Sequence, residues 1–111
     1  MNLLWGIDLG GTKVECAVLD ADNDYKEIAR DRIPAKHSEG YDKLLQNIKQ
    51  LISTISQSIG SSPVKVGIGT PGIIDEESGL MINCHNTCLL NKPFRKDLSD
   101  LLGVEVAVAN D

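Results

Sequence analysis

Asp8-Leu9-Gly10-Gly11-Thr12-Lys13 sits between two strand-like runs, residues 2–7 and 14–19, and its reading organises the rest of the chain. Paired glycines let the backbone turn sharply and approach a ligand where a Cβ would collide. Successive N–H groups in such a turn form a concave nest for phosphate oxygens. Thr12 adds a hydroxyl, Lys13 a positive charge, and Asp8 a carboxylate suited to Mg²⁺ or to a metal-bound water. The competing reading of these residues alone is an ordinary hairpin with Gly-Gly at its tip.

Outward from this turn, residues 2–8 read as a buried strand and 13–20 as a second, with Val14, Cys16 and Val18 alternating against Glu15 and Ala17. Asp22-Asn23-Asp24 is a polar turn, and 25–33 reads as a third, amphipathic strand stopped at Pro34. Ser38 is the expected N-cap of a helix, with Glu39 and Asp42 in its first turn, where carboxylates suit the dipole. Tyr41, Leu44, Leu45, Ile48, Leu51, Ile52, Ile55 and Ile59 form one helical stripe ahead of the stop at Gly60. A short strand follows at 64–69, then the turn Thr70-Pro71-Gly72 and an irregular stretch over 73–93. A second helix runs from near Pro93 to Leu102 with Phe94, Leu98, Leu101 and Leu102 inward, and 104–109 is the last strand. The order β-β-β-α-β-α-β predicts an α/β domain, a mixed sheet with helices packed on it.

The chain has 111 residues, 41% apolar but with one Trp, one Phe and two Tyr, so its core must be aliphatic. A net charge of −5 without a basic run argues against nucleic acid as the main partner. No stretch approaches membrane-spanning length and the start lacks a signal-peptide pattern, so the expectation is a cytoplasmic protein without a membrane partner. Cys16, Cys84 and Cys88 are odd in number and irregularly spaced, which fits reduced thiols. Cys84, His85 and Cys88 are zinc-ligand types, but a fourth ligand is not evident.

Three polar turns follow three strands: residues 8–12, Gly69-Thr70-Pro71-Gly72, and Asn110-Asp111. If those strands are parallel neighbours, the turns converge on one sheet edge, where α/β proteins place their ligands. A carboxylate at a strand end, Asp111, can take the proton of a substrate hydroxyl as that oxygen attacks phosphorus. It can equally cap a following helix. Asn83, His85, Asn86, Thr87 and Asn91 concentrate hydroxyl-recognising groups in one irregular segment.

Four motifs in this order and spacing carry a resemblance: residues 8–13, 67–72, 83–94 and 106–111. The chain resembles the ROK family (repressors, open reading frames and kinases) over nearly its whole length. Within it, Asn86-Thr87, Leu90-Asn91, Pro93-Phe94 and Lys96-Asp97-Leu98-Ser99 are most similar to fructokinase and mannokinase-type sugar kinases.

The resemblance implies an actin/hexokinase-like (ribonuclease H-like) fold, with residues 1–111 as the N-terminal lobe of a two-domain, ATP- and Mg²⁺-dependent hexose kinase. By position, Gly10, Gly11, Thr12 and Lys13 would lie against the ATP phosphates, and Asp8 would help place Mg²⁺ through water. Gly72, Asn86, Thr87, Asn110 and Asp111 would contact the sugar, with Asp111 as general base. The family's zinc motif, further sugar ligands and most of the adenosine pocket fall beyond residue 111, so this chain alone is expected to be inactive and the complete protein a homodimer. The alternative is a non-catalytic sugar-sensing domain of a ROK-type transcriptional regulator. The expectation weighs against it, since a hairpin beginning at residue 8 would leave no room for a preceding DNA-binding domain.

Overall fold

The computed structural model describes residues 2–84 and 87–110. Three strands, β1 (Leu3–Leu9), β2 (Lys13–Asp20) and β3 (Lys26–Pro34), open the chain as an antiparallel meander. Helix α1 (Tyr41–Ile59) crosses to β4 (Lys65–Thr70), which lies parallel to β1. A two-residue hairpin, β5 (Ile73–Ile74) with β6 (Met81–Ile82), interrupts the stretch expected to be irregular. Helix α2 (Phe94–Leu102) then leads to β7 (Glu105–Asn110), parallel to β4. The main sheet runs β3-β2-β1-β4-β7, the mixed sheet with helical crossovers that the sequence predicts.

Alternation decides which face is covered. Trp5, Ile7 and Leu9 of β1, Val14, Cys16 and Val18 of β2, Val66 and Ile68 of β4 and Val106 of β7 point to one buried side. Against them α1 lays Leu44, Leu45, Ile48, Leu51, Ile52 and Ile55, and α2 adds Phe94 and Leu98. Each such side chain stabilises the fold by roughly 1.5–3 kcal/mol through its burial. The helices end at Gly60, the stop that the sequence offers, and at Gly103, with φ 72° and 70°.

Two local expectations fail. Ser38 does not cap α1: Lys36 turns left-handed at φ 50°, and His37–Glu39 close a single 3₁₀ turn before Gly40 restarts the chain. The helix therefore starts at Tyr41 without a side-chain cap, and Glu39 precedes it rather than lying in its first turn. Tyr25 does not begin the third strand either, because it sits at φ 56° in the preceding turn and is mostly exposed. Short-range propensity placed both residues, but left-handed backbone beside them moved each boundary.

Candidate functional site

Because β1, β4 and β7 are parallel neighbours, their carboxyl ends meet on one edge. Asp8 pairs with Gly69, and Thr70 pairs with Asn110. The three polar turns thus converge as the sequence suggests.

The glycine turn after β1 is closed by Gly10 N–H donating to the Lys13 carbonyl at 2.9 Å. The Thr12 carbonyl accepts Ala35 N–H at 2.9 Å, and the Gly10 carbonyl accepts His37 Nε2–H at 2.9 Å. Three carbonyls of the turn are thereby occupied from within the protein. The N–H groups of Gly11 and Thr12 have no protein partner among the described residues, and both residues are exposed. A turn with its carbonyls engaged and its amides open presents net positive backbone dipole to solvent, the arrangement that receives an anion. Lys13 is exposed beside it. Asp8 lies on the opposite sheet face from the helices, in the wall of a shallow concavity of about 560 Å³. Among the described residues no three His, Cys, Asp or Glu side chains cluster as a metal cage. A single open carboxylate suits Mg²⁺, which keeps several waters and takes one or two carboxylates plus phosphate oxygens.

At the neighbouring strand end, Asn110 Nδ2 donates to the Gly72 carbonyl at 3.0 Å, and the buried Thr70 hydroxyl donates to the same oxygen at 2.9 Å. Gly72 is buried: a Cβ there would stand 2.5 Å from the Ile82 carbonyl oxygen and 2.7 Å from Cys84 Cβ. Close approach of β6 is therefore a reason for this glycine that owes nothing to a ligand.

Much of the polar density in 83–93 is also turn chemistry. Thr87 Oγ1 donates to the Cys84 carbonyl at 2.7 Å and accepts Leu89 N–H at 3.2 Å. Asn83 and Asn91 occupy left-handed backbone at φ 56° and 62°, which asparagine tolerates better than most residues. Asn86, His85 and Asp111, three of the residues singled out in the sequence, lie outside the described residues.

Lys92 stands 5.5 Å over the Tyr41 ring, and Tyr41 Oη donates to Asp97 Oδ2 at 2.8 Å, so the start of α1 braces this segment against α2. Burial, and then the hydrogen bond to Asp97, raise the Tyr41 hydroxyl above its ordinary pKa. Arg95 pairs with Glu76 and Lys96 with Asp100, away from any phosphate role.

Sequence reasoning missed His37. Its partners are 27 and 51 residues distant, Gly10 through Nε2 and Cys88 through Nδ1, so no local spacing announces it. The cysteines are free: Cys16 and Cys84 are buried, and Cys88 faces His37 at 3.3 Å. Burial raises the Cys88 thiol above its ordinary value.

Known proteins are similar to this chain in sequence and in fold. An N-acetyl-D-glucosamine kinase of Histophilus somni is 37% identical over 109 residues, 98% of this chain and 34% of its own length. One of Haemophilus influenzae is 32% identical over 109 residues, again 98% of this chain and 34% of its own length. The chain thus spans about a third of the length of the curated relatives it matches. The crystal structure of an inorganic polyphosphate/ATP-glucomannokinase from Arthrobacter sp. strain KM superposes with a TM-score of 0.82 at 26% identity, covering 100% of this chain and 45% of that one. The sequence pattern of the ROK family matches residues 4–111, and with these likenesses it shows that the chain belongs to the ROK family.

Proposed function

We propose that the chain is the N-terminal lobe of an ATP-dependent kinase that transfers the γ-phosphoryl group to a sugar hydroxyl. The observation that carries this reading is the turn at Gly10, whose Lys13, Thr12 and Gly10 carbonyls are held by Gly10 N–H, Ala35 N–H and His37 Nε2–H while the Gly11 and Thr12 amides stay open. Gly10, Gly11, Thr12 and Lys13 hold the phosphates, and Asp8 orients Mg²⁺ through water. When bound, Mg²⁺ supplies neutralisation of charge on the phosphate oxygens.

On the acceptor side, Gly72, Asn86, Thr87 and Asn110 shape the sugar site. Asn110 keeps its Oδ1 for a sugar hydroxyl while its amide fixes the Gly72 turn. Asp111 follows at the end of β7 and acts as general base. Its carboxylate takes the hydroxyl proton as the sugar oxygen bonds to the γ-phosphorus, and the bond to the ADP oxygen breaks. The two N-acetyl-D-glucosamine kinase relatives favour a hexose or N-acetylhexosamine acceptor. A cytoplasmic location is part of the proposal; among the described residues no helix is long and apolar enough to cross a membrane. In the complete protein we expect most of the adenosine pocket, a homodimer interface and any zinc motif to lie outside residues 1–111.

The test is ADP release by the full-length protein with ATP, Mg²⁺ and a panel of hexoses and N-acetylhexosamines, compared with Asp111→Asn. The expected result is sugar-dependent turnover that falls about a thousandfold in the variant, with sugar still bound. Sugar binding without turnover on any acceptor would replace the kinase reading with a sensor.

A further inference from the structure

His37 is half-buried in the short turn between β3 and α1, and both ring nitrogens are engaged. A carbonyl only accepts, so the 2.9 Å contact to Gly10 places the proton on Nε2. In the neutral ring Nδ1 is then an acceptor, and it faces the Cys88 Sγ at 3.3 Å and the Cys88 N–H at 3.4 Å. The Cys88 thiol is thus the donor to Nδ1. Two residues before the histidine, Ala35 N–H holds the Thr12 carbonyl at 2.9 Å. Just before Cys88, the Thr87 hydroxyl fixes the same turn to the Cys84 carbonyl. One imidazole therefore joins the glycine turn after β1 to the segment that precedes α2.

We propose that His37 is a positioning residue that sets the spacing between the phosphate turn at Gly10 and the sugar-side turn at Cys88. This rests on the assignment of those two turns to phosphate and sugar given above. Transfer between two bound substrates needs donor and acceptor aligned to within a fraction of an ångström, and a misplacement of about 1 Å costs on the order of a hundredfold in rate. Each turn keeps its own local hydrogen bonds without His37, so each substrate still finds its contacts. What the imidazole adds is their separation. Its loss should therefore appear in kcat more than in either KM.

In the full-length protein, His37→Ala is expected to lower kcat at least about tenfold while KM for ATP and for sugar each change less than about threefold. Cys88→Ala gives a smaller loss of the same kind, and Cys88→Ser, which still offers an O–H to Nδ1, restores it. The double variant His37→Ala/Cys88→Ala is no worse than His37→Ala, because both remove one connection. Unchanged kcat in His37→Ala, or additive losses in the double variant, overturns the proposal. Should His37→Ala not fold, the comparison of Cys88→Ala with Cys88→Ser decides alone.

Amide hydrogen exchange reads the same connection without turnover. Cys88→Ala should raise exchange at Gly10 and Ala35, whose N–H groups are hydrogen-bonded to carbonyls of the glycine turn and which Cys88 does not touch, and Cys88→Ser should not. If the wild-type protein turns over no sugar, the kinase reading fails while exchange still judges His37. Equal exchange at Gly10 and Ala35 in wild type and Cys88→Ala then rules the connection out.

Discussion

Asn110 at the end of β7 donates its side-chain amide to the Gly72 carbonyl at 3.0 Å, tying the last strand to the turn that follows its neighbour. The Thr70 hydroxyl donates to that same oxygen, so the carbonyl keeps one partner when Asn110 is altered. Asn110→Ala should then destabilise the protein by only about 1 kcal/mol, the net value of a typical hydrogen bond. Asn110→Asp is nearly isosteric but replaces a donor with an acceptor facing a carbonyl. It should cost more than Ala, by about 1–3 kcal/mol in total. Chemical denaturation of the three proteins reads the order, and Asp equal to Asn would refute this account of the contact.

Gly72 makes a tight backbone approach, with the Ile82 carbonyl oxygen 2.5 Å from where a Cβ would stand. Both this atom and Cys84 Cβ belong to the segment that leads into the turn at Cys88, proposed above to face the sugar. Gly72→Ala must push that segment away from the end of β4, at a cost of about 1–3 kcal/mol for overpacking. On the proposed site assignment, sugar affinity should fall with it, while nucleotide affinity, assigned there to the turn after β1, stays within about threefold. Calorimetric titration with each ligand separates the two effects.

Asp8 lies at the end of β1, exposed and on the face away from the helices. A carboxylate there that only solubilises the sheet could become asparagine with little consequence. One that holds a water of Mg²⁺ could not, because a neutral amide binds a hard cation weakly. Asp8→Asn should raise the Mg²⁺ concentration for half-maximal turnover about tenfold or more, with folding stability within about 0.5 kcal/mol of wild type. A titration of turnover against Mg²⁺ at saturating sugar checks this.

The sequence made the frame legible because the frame rests on periodicity. Alternation placed Val14, Cys16 and Val18 on the buried face, and the helical stripe of α1 placed Leu44 through Ile55 opposite them. Convergence of the turns at Gly10, Gly72 and Asn110 followed from the order of strands and crossovers, with no pairwise contact needed. What escaped depends on contacts between distant residues. The hairpin of β5 and β6 has two residues per strand, too short for any alternation to show. The hydroxyl and amides of 83–93 read as ligand groups, yet the Thr87 hydroxyl is engaged by its own turn, and Asn83 and Asn91 fit left-handed backbone. His37 carries no motif at all, since its meaning comes from Gly10 and Cys88 meeting around it.

Cys16 makes stability sensitive to alkali. It lies on β2 with no solvent exposure, opposite Ile7 on one side and Asp31 on the other. Burial first, and the Asp31 charge second, push its thiol from an ordinary 9.0 up to about 12. Between those values the unfolded chain gives up the thiol proton while the folded chain keeps it. The unfolded state then binds fewer protons, so stability falls as pH rises. The contribution is fully present below pH 9.0 and is lost on the way to about 12. Its slope is at most about 1.4 kcal/mol per pH unit. Tyr41, also raised by burial and by Asp97, adds a decline of the same sign above its ordinary 10.0. Cys16→Ala removes only the thiol contribution, so the variant should be less stable near neutrality, for lost packing, yet decline more shallowly with pH. Urea denaturation of both proteins at about pH 8 and about pH 10 isolates that difference. Parallel declines would show that the Cys16 thiol ionises equally in the folded and unfolded chain.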